Sequence, residues 1–187
     1  VRLILKYGMG LDNIDVEEAS RLGIYVANVV GANSAAVAET ALLHILNAGR
    51  KFTPCVSGVK AGVWPSTITG TELDGKIIGL LGCGNIARHL ARMLSGFQVE
   101  ILAYDPYVSQ EQAPDGVTMM PRDDVLKNSD FVSLHLPATP ETRHSIGRAE
   151  FEMMKPTAYF INCARGPIVD EAALIDALQS GVIAGAG

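Results

Sequence analysis

Apolar positions in this chain fall in short blocks separated by polar, glycine-rich turns, and the stretch 76–105 carries that rhythm most clearly. It reads KIIGLLGCGNIARHLARMLSGFQVEILAYD, opening on a continuous apolar run from Ile77 to Leu81. A run of that length without polar alternation predicts a strand buried on both faces, as in a parallel sheet. A turn through Gly82, Gly84 and Ala87 leads into a stretch with Ile86, Leu90, Met93 and Leu94 at helical spacing. A second apolar run then closes at Asp105.

The rest of the chain continues the alternation. VRLILKY (1–7) reads as a strand; with no strand before it, it is expected to lack a partner within the chain, as though the sequence were cut from something longer. GMGLDNID turns into a short helix over Val16–Leu22 stopped by Gly23, and GIYVANV is a second short strand. Asn33 or Ser34 is the predicted N-cap of a long helix, with Val37, Ala41, Leu42, Ile45 and Leu46 at helical spacing. CVSGVKAGVWPSTITGTELDG, rich in Gly, Pro, Ser and Thr and holding the lone Trp64, is expected to be a surface connection. Beyond Asp105 come a strand at GVTMM, a helix at PRDDVLKNS, a strand at DFVSLHLP and a helix at GRAEFEMMK. A strand at TAYFINCA, an amphipathic helix at DEAALIDALQSG and a last strand at VIAGAG complete the pattern. Strands alternating with helices predict an α/β fold, a Rossmann-type doubly wound parallel sheet with ligands outside the carboxyl ends of its strands.

The glycine turn carries the first candidate chemistry. Gly82 permits a tight turn, Gly84 lets backbone approach a phosphate without a Cβ, and Ala87 permits close helix–strand packing. The following helix N-terminus offers unpaired N–H groups and a partial positive charge to a pyrophosphate. Asp105 lies about 20 residues on, where a dinucleotide fold sets an acid against the ribose hydroxyls. The competing reading is an ordinary strand–helix–strand unit whose glycines serve only for turning.

Composition narrows the partners. An apolar fraction of 48% with 19% charged residues supports a packed core, and no apolar stretch is long enough to span a bilayer. The net charge of −5 argues against a nucleic-acid backbone as partner but not against a dinucleotide held by local backbone dipoles. Cys55, Cys83 and Cys163 are odd in number and lack metal-ligand spacing. Reduced thiols and the lack of a signal-peptide pattern give a cytoplasmic protein as the expectation.

Predicted strand ends then give a short list of reactive groups. Arg165 follows an apolar strand directly, where its guanidinium can hold a carboxylate in a bidentate fork and polarise an adjacent carbonyl. On position alone, an ion pair with Asp170 or Glu171 is an equal alternative. Of the four histidines, His44 and His89 lie on helices and His144 on a polar loop. His135, one residue before a strand end, can line a site without transferring a proton. No Ser/His/Asp constellation, metal cluster or Walker lysine is present.

Taken as strings, KYGMGLDNIDVEEASRLGIYVAN, GANSAAVAETALLHILNAGRK, LDGKIIGLLGCGNIAR, YDPY, SLHLPATPET and INCARGPIVDEAALIDALQSG closely resemble the D-2-hydroxyacid dehydrogenase family across essentially the whole chain. The D-3-phosphoglycerate dehydrogenase branch is the most similar. The resemblance implies NAD as cofactor, with Asn85 and Ile86 beside the pyrophosphate after Gly82 and Gly84, and Asp105 on the ribose. Leu136, Pro137, Cys163 and Ala164 match segments beside the nicotinamide, and Met9 matches a loop of the substrate domain that reaches cofactor and substrate. Arg165 matches the arginine that binds the substrate carboxylate. Two departures stand out. Ala87 replaces the third glycine, and the family's catalytic glutamate and histidine lie downstream of the GAG at 185–187, so these residues alone are expected to bind NAD without turnover. The implied organisation is the tail of a flavodoxin-like substrate domain over residues 1–33 and an NAD-binding Rossmann domain over 34–187. The implied activity is hydride transfer on a small 2-hydroxy or 2-oxo acid by a homo-oligomer. An NAD-binding regulatory protein, akin to the corepressors that resemble this family, is the alternative.

Overall fold

The computed structural model describes residues 1–187 and contains two sheets, one of two strands and one of six. The smaller is built from β1 (Leu3–Lys6) and β2 (Tyr25–Asn28), joined through helix α1 (Val16–Arg21). The Asp15 carboxylate caps α1 by accepting from the Glu18 N–H at 2.8 Å, with Glu17 and Glu18 in the first turn and Arg21 in the last, as the helix dipole favours. β1 pairs with β2 in parallel, from Leu3 opposite Tyr25 to Lys6 opposite Asn28. This corrects the expectation of an unpartnered first strand: the α1 crossover is just long enough to bring the next strand alongside.

Helix α2 (Ser34–Arg50) buries Ser34, Ala38, Ala41, Ile45 and Gly49, every third or fourth position. Asn33 takes the N-cap position without a side-chain hydrogen bond. The connection expected at 55–75 is only partly irregular, because helix α3 spans Phe52–Lys60. Lys51, at φ +52°, makes the corner between the two helices. Asn47 Oδ1 then accepts from both the backbone N–H and the hydroxyl of Thr53, at 3.0 and 2.9 Å. Pro54 falls in the first turn of α3, where its missing N–H forfeits no helical bond. Composition suggested a loop; local capping makes a helix.

The larger sheet comprises β3 (Ile77–Leu81), β4 (Glu100–Tyr104), β5 (Val117–Met119), β6 (Phe131–Leu134), β7 (Tyr159–Asn162) and β8 (Gly185–Ala186). Its helices are α4 (Asn85–Leu94), α5 (Arg122–Asn128), α6 (Arg148–Met153) and α7 (Glu171–Gln179). All pairings are parallel, in the order β5-β4-β3-β6-β7-β8. Ile78, Leu80, Ile101, Ala103, Phe131, Tyr159 and Ile161 pack beneath α2 and α4. Leu81, Leu102, Val132, Leu134 and Phe160 pack on the opposite face with α5, α6 and α7. Adjacent residues thus enter opposite cores, which is why these strands are largely apolar and do not alternate with polar residues. The chain runs outward from β3 through β4 to β5, then returns to place β6 on the other side of β3. That reversal opens a crevice at the carboxyl ends of β3 and β6, where an α/β sheet takes its ligand.

Candidate functional site

The glycine turn leaves β3 at this crevice. Gly82 adopts φ +97°, and a Cβ there would lie 2.8 Å from the His135 carbonyl oxygen. Both the conformation and the close approach demand glycine. The Gly82 N–H donates to the Tyr104 carbonyl at 2.8 Å, and the Cys83 N–H to Asp105 Oδ2 at 2.9 Å, tying the turn to the end of β4. Asp105 Oδ1 accepts from the Tyr107 N–H at 2.9 Å, so the carboxylate is held from both sides. Gly84, the N-cap residue of α4, offers no capping side chain, and the N–H groups of Asn85 and Ile86 find no acceptor in the chain. A Cβ on Gly84 would meet nothing within 4 Å: the space in front of the α4 N-terminus is open. Free N–H groups, a positive helix end and open approach together suit an anion. The Cys83 thiol is buried, and desolvation raises its pKa, keeping it neutral beside that site.

A cleft of about 570 Å³ runs from this turn to the loop after β1. Met9, Gly82, Gly84, Ile86, Asp105, Leu136, Pro137, Cys163, Ala164 and Arg165 all line it. Asn85 alone among the residues assigned to cofactor or substrate does not; its Nδ2 lies near Gly31, while its backbone N–H begins α4. The structure adds Asp12, which sequence reasoning passed over. Arg165 pairs with neither Asp170 nor Glu171: its Nε donates to Asp12 Oδ2 at 2.8 Å, and its Nη1 to the Ala164 carbonyl at 2.8 Å. Asp170 instead caps α7, accepting from the Ala173 N–H at 3.2 Å. The turn beneath Arg165 is fixed by Asn162, which donates to the Arg165 carbonyl at 3.1 Å and accepts from the Ala164 N–H at 2.9 Å.

His135 lines the cleft, with Nε2 3.0 Å from Ser133 Oγ and Nδ1 buried without a partner. Desolvation pushes its pKa down to about 4, so it is neutral, and a poor proton carrier, near pH 7. His44, His89 and His144 lie outside the cleft. A second hollow of about 660 Å³ lies across the 165–168 turn, but it does not include the glycine turn or the open N-terminus of α4. The first cleft, with its open helix end and its acid at the tip of β4, is the one that fits a dinucleotide.

Residues 42–187 match the family model for the D-isomer specific 2-hydroxyacid dehydrogenase, NAD binding domain. The chain belongs to that family. Its D-2-hydroxyacid dehydrogenase relatives include a D-3-phosphoglycerate dehydrogenase of Mycobacterium leprae, 39% identical over 189 residues, covering 100% of this chain and 36% of the relative. A glyoxylate reductase of Thermococcus litoralis is 40% identical over 196 residues, covering 100% of this chain and 59% of the relative. Among solved structures, the NAD-complexed D-isomer specific 2-hydroxyacid dehydrogenase of Lactobacillus delbrueckii ssp. bulgaricus superposes with a TM-score of 0.83 at 35% identity, covering 100% of this chain and 57% of that one. The chain therefore spans between about a third and three fifths of these relatives' length. Family membership makes NAD the cofactor, and the expected Rossmann-type fold is the one observed. No helix is long and apolar enough to cross a membrane.

Proposed function

We propose that this chain forms part of an NAD-dependent oxidoreductase that passes a hydride between NAD(H) and the 2-carbon of a small D-2-hydroxy or 2-oxo acid, phosphoglycerate-like in class. The observation that carries this reading is the meeting of the glycine turn and the Arg165 guanidinium in one cleft. Bound NAD supplies the hydride chemistry; the protein positions and polarises. The N–H groups at the start of α4, at Asn85 and Ile86 beyond Gly82 and Gly84, hold the pyrophosphate. Asp105 takes the ribose hydroxyls and so favours NAD over NADP. Leu136, Pro137, Cys163 and Ala164 flank the nicotinamide half, and Met9 reaches over it from the leading loop. Arg165 holds the substrate carboxylate through its guanidinium fork, which fixes the neighbouring carbonyl for attack. The family resemblance assigns proton transfer to a glutamate and histidine beyond these residues; His135, which lines the cleft, is held neutral and lines the site without that role.

The division into residues 1–33, as part of a substrate domain, and 34–187, as the NAD-binding domain, follows from the same reading. A homo-oligomer is supported by α3, which buries none of its residues, and by Trp64 beyond it, 81% exposed. The three cysteines are free, which supports a cytoplasmic location.

The test is turnover of a panel of 2-oxo acids with NADH by the full-length gene product. Activity with at least one acid, lost on Arg165→Ala while NADH affinity stays within about threefold, is the expected result. Tight NADH binding without turnover of any acid would mark a regulatory, corepressor-like protein instead.

A further inference from the structure

We propose that Asp12 is a positioning residue for Arg165, holding the Nε edge of the guanidinium so that its Nη1–Nη2 edge stays aimed at a substrate carboxylate. The proposal rests on the reading of Arg165 as the carboxylate-binding group. Two of the five guanidinium N–H groups are committed within the protein, Nε to Asp12 Oδ2 and one on Nη1 to the Ala164 carbonyl, both at 2.8 Å. The three that remain sit on Nη1 and Nη2, the two donors of an end-on fork. Gly10 closes the other side: a Cβ there would collide with Nη2 and crowd Asp12 Oδ2, while its backbone φ is not in the left-handed region. A side chain at position 10 would therefore displace the guanidinium from this pose.

Asp12 can act this way because its loop is itself held. Asn28 Nδ2 donates to the Met9 carbonyl at 2.7 Å, Lys6 Nζ to Asn13 Oδ1 at 3.2 Å, and the Val29 N–H to the Gly8 carbonyl at 3.2 Å. The loop is thereby fastened to both strands of the small sheet, and Arg165 to the end of β7 through Asn162. The pair joins residues 153 apart in sequence and couples the position of the small sheet to the guanidinium. The side chains are 60% and 39% exposed, and an ion pair that open to solvent adds little to stability. Its effect is on geometry. A long arginine side chain left free loses rotamer entropy when it grips a ligand, whereas one already fixed does not.

The experiment compares Asp12→Ala, Asp12→Asn and Gly10→Ala in the full-length gene product, with the best 2-oxo acid and NADH. Asp12→Ala is expected to raise KM for the acid at least tenfold, with NADH affinity within twofold of wild type and an unchanged urea midpoint. Asp12→Asn, whose amide oxygen still accepts from Nε, recovers most of that loss. Gly10→Ala, which pushes the guanidinium aside, reproduces it. Nitrogen-15 NMR gives a reading independent of turnover: the Arg165 Nε–H is slow to exchange in wild type and Asp12→Asn, and fast in Asp12→Ala. An active wild type whose Asp12→Ala variant keeps kcat/KM within twofold, or loses NADH affinity in parallel, overturns the positioning role alone. A wild type that turns over no acid overturns the reading of Arg165, and this proposal with it.

Discussion

The backbone N–H of Cys83, inside the glycine turn, donates to the carboxylate of Asp105 at the end of the next strand, at 2.9 Å. One acid therefore serves two ends: it braces the glycine turn and, in the function proposed above, keeps its remaining lone pairs for the ribose. Asp105→Ala removes both and is expected to weaken NADH binding at least tenfold, about 1.4 kcal/mol. Asp105→Asn keeps an acceptor for Cys83 but loses the charge. It is expected to keep the wild-type urea midpoint while narrowing the preference for NADH over NADPH. Fluorescence titration with both cofactors checks the pair, and unchanged NADH affinity in Asp105→Ala would remove Asp105 from the ribose site.

Gly82 and Gly84 stand two residues apart and fail differently when given a Cβ. At Gly82 the backbone is left-handed and the new carbon would press on the His135 carbonyl, so Gly82→Ala should cost about 3 kcal/mol in stability. At Gly84 the φ of −79° suits alanine and the surrounding space is empty. Gly84→Ala should leave the urea midpoint almost unmoved yet weaken NADH binding at least tenfold, because the methyl enters the phosphate approach. Loss of fold in Gly84→Ala, or wild-type cofactor affinity, would contradict this division of roles.

The sheet and the glycine turn are legible in the sequence because their signals are local. Continuous apolar runs at 77–81 and 158–161, and glycines at fixed offsets, need only neighbouring residues to be read. Helix α3 was missed because Ser57, Gly58 and Pro54 weaken its propensity, while the Asn47 cap that starts it lies outside the segment. The partner of β1 is not marked in the sequence, because nothing local to either strand shows that one short helix suffices to bring β2 alongside. Asp12 was invisible for a different reason. Nothing near an acid in a polar turn marks it as the partner of an arginine 153 residues away, so only folding discloses the pair and displaces the nearer Asp170 and Glu171.

His135 links the cleft to acid stability. Its folded pKa is lowered to about 4 by desolvation, against an ordinary value of 6.5. Between those values the unfolded chain binds a proton that the folded chain does not, so stability is fully present above pH 6.5 and falls as the pH drops towards 4. The loss attributable to this side chain is about 2 kcal/mol, less than the full shift implies because the residue is only half-buried. Urea unfolding at pH 7.5 and 4.5 should show His135→Gln losing less stability across that interval than wild type. An identical loss in both would mean that the ring is protonated in the folded protein.

The outer face of α3 is the surface on which the proposed homo-oligomer is tested. Phe52 and Val59 on the helix, and Val63 and Trp64 in the turn after it, are each more than half exposed, and no residue of α3 is buried. An unburied apolar helix next to the only tryptophan is the kind of surface that monomers seldom leave to solvent. α3 contributes little to the core, so a charge placed there should disturb association without disturbing the fold. Trp64→Glu and Phe52→Asp are expected to keep the wild-type far-ultraviolet circular dichroism and urea midpoint at low protein concentration. In sedimentation velocity, wild type should run as an oligomer and both variants as monomers. A wild type that is monomeric at tens of micromolar, or variants that associate as it does, would refute this interface.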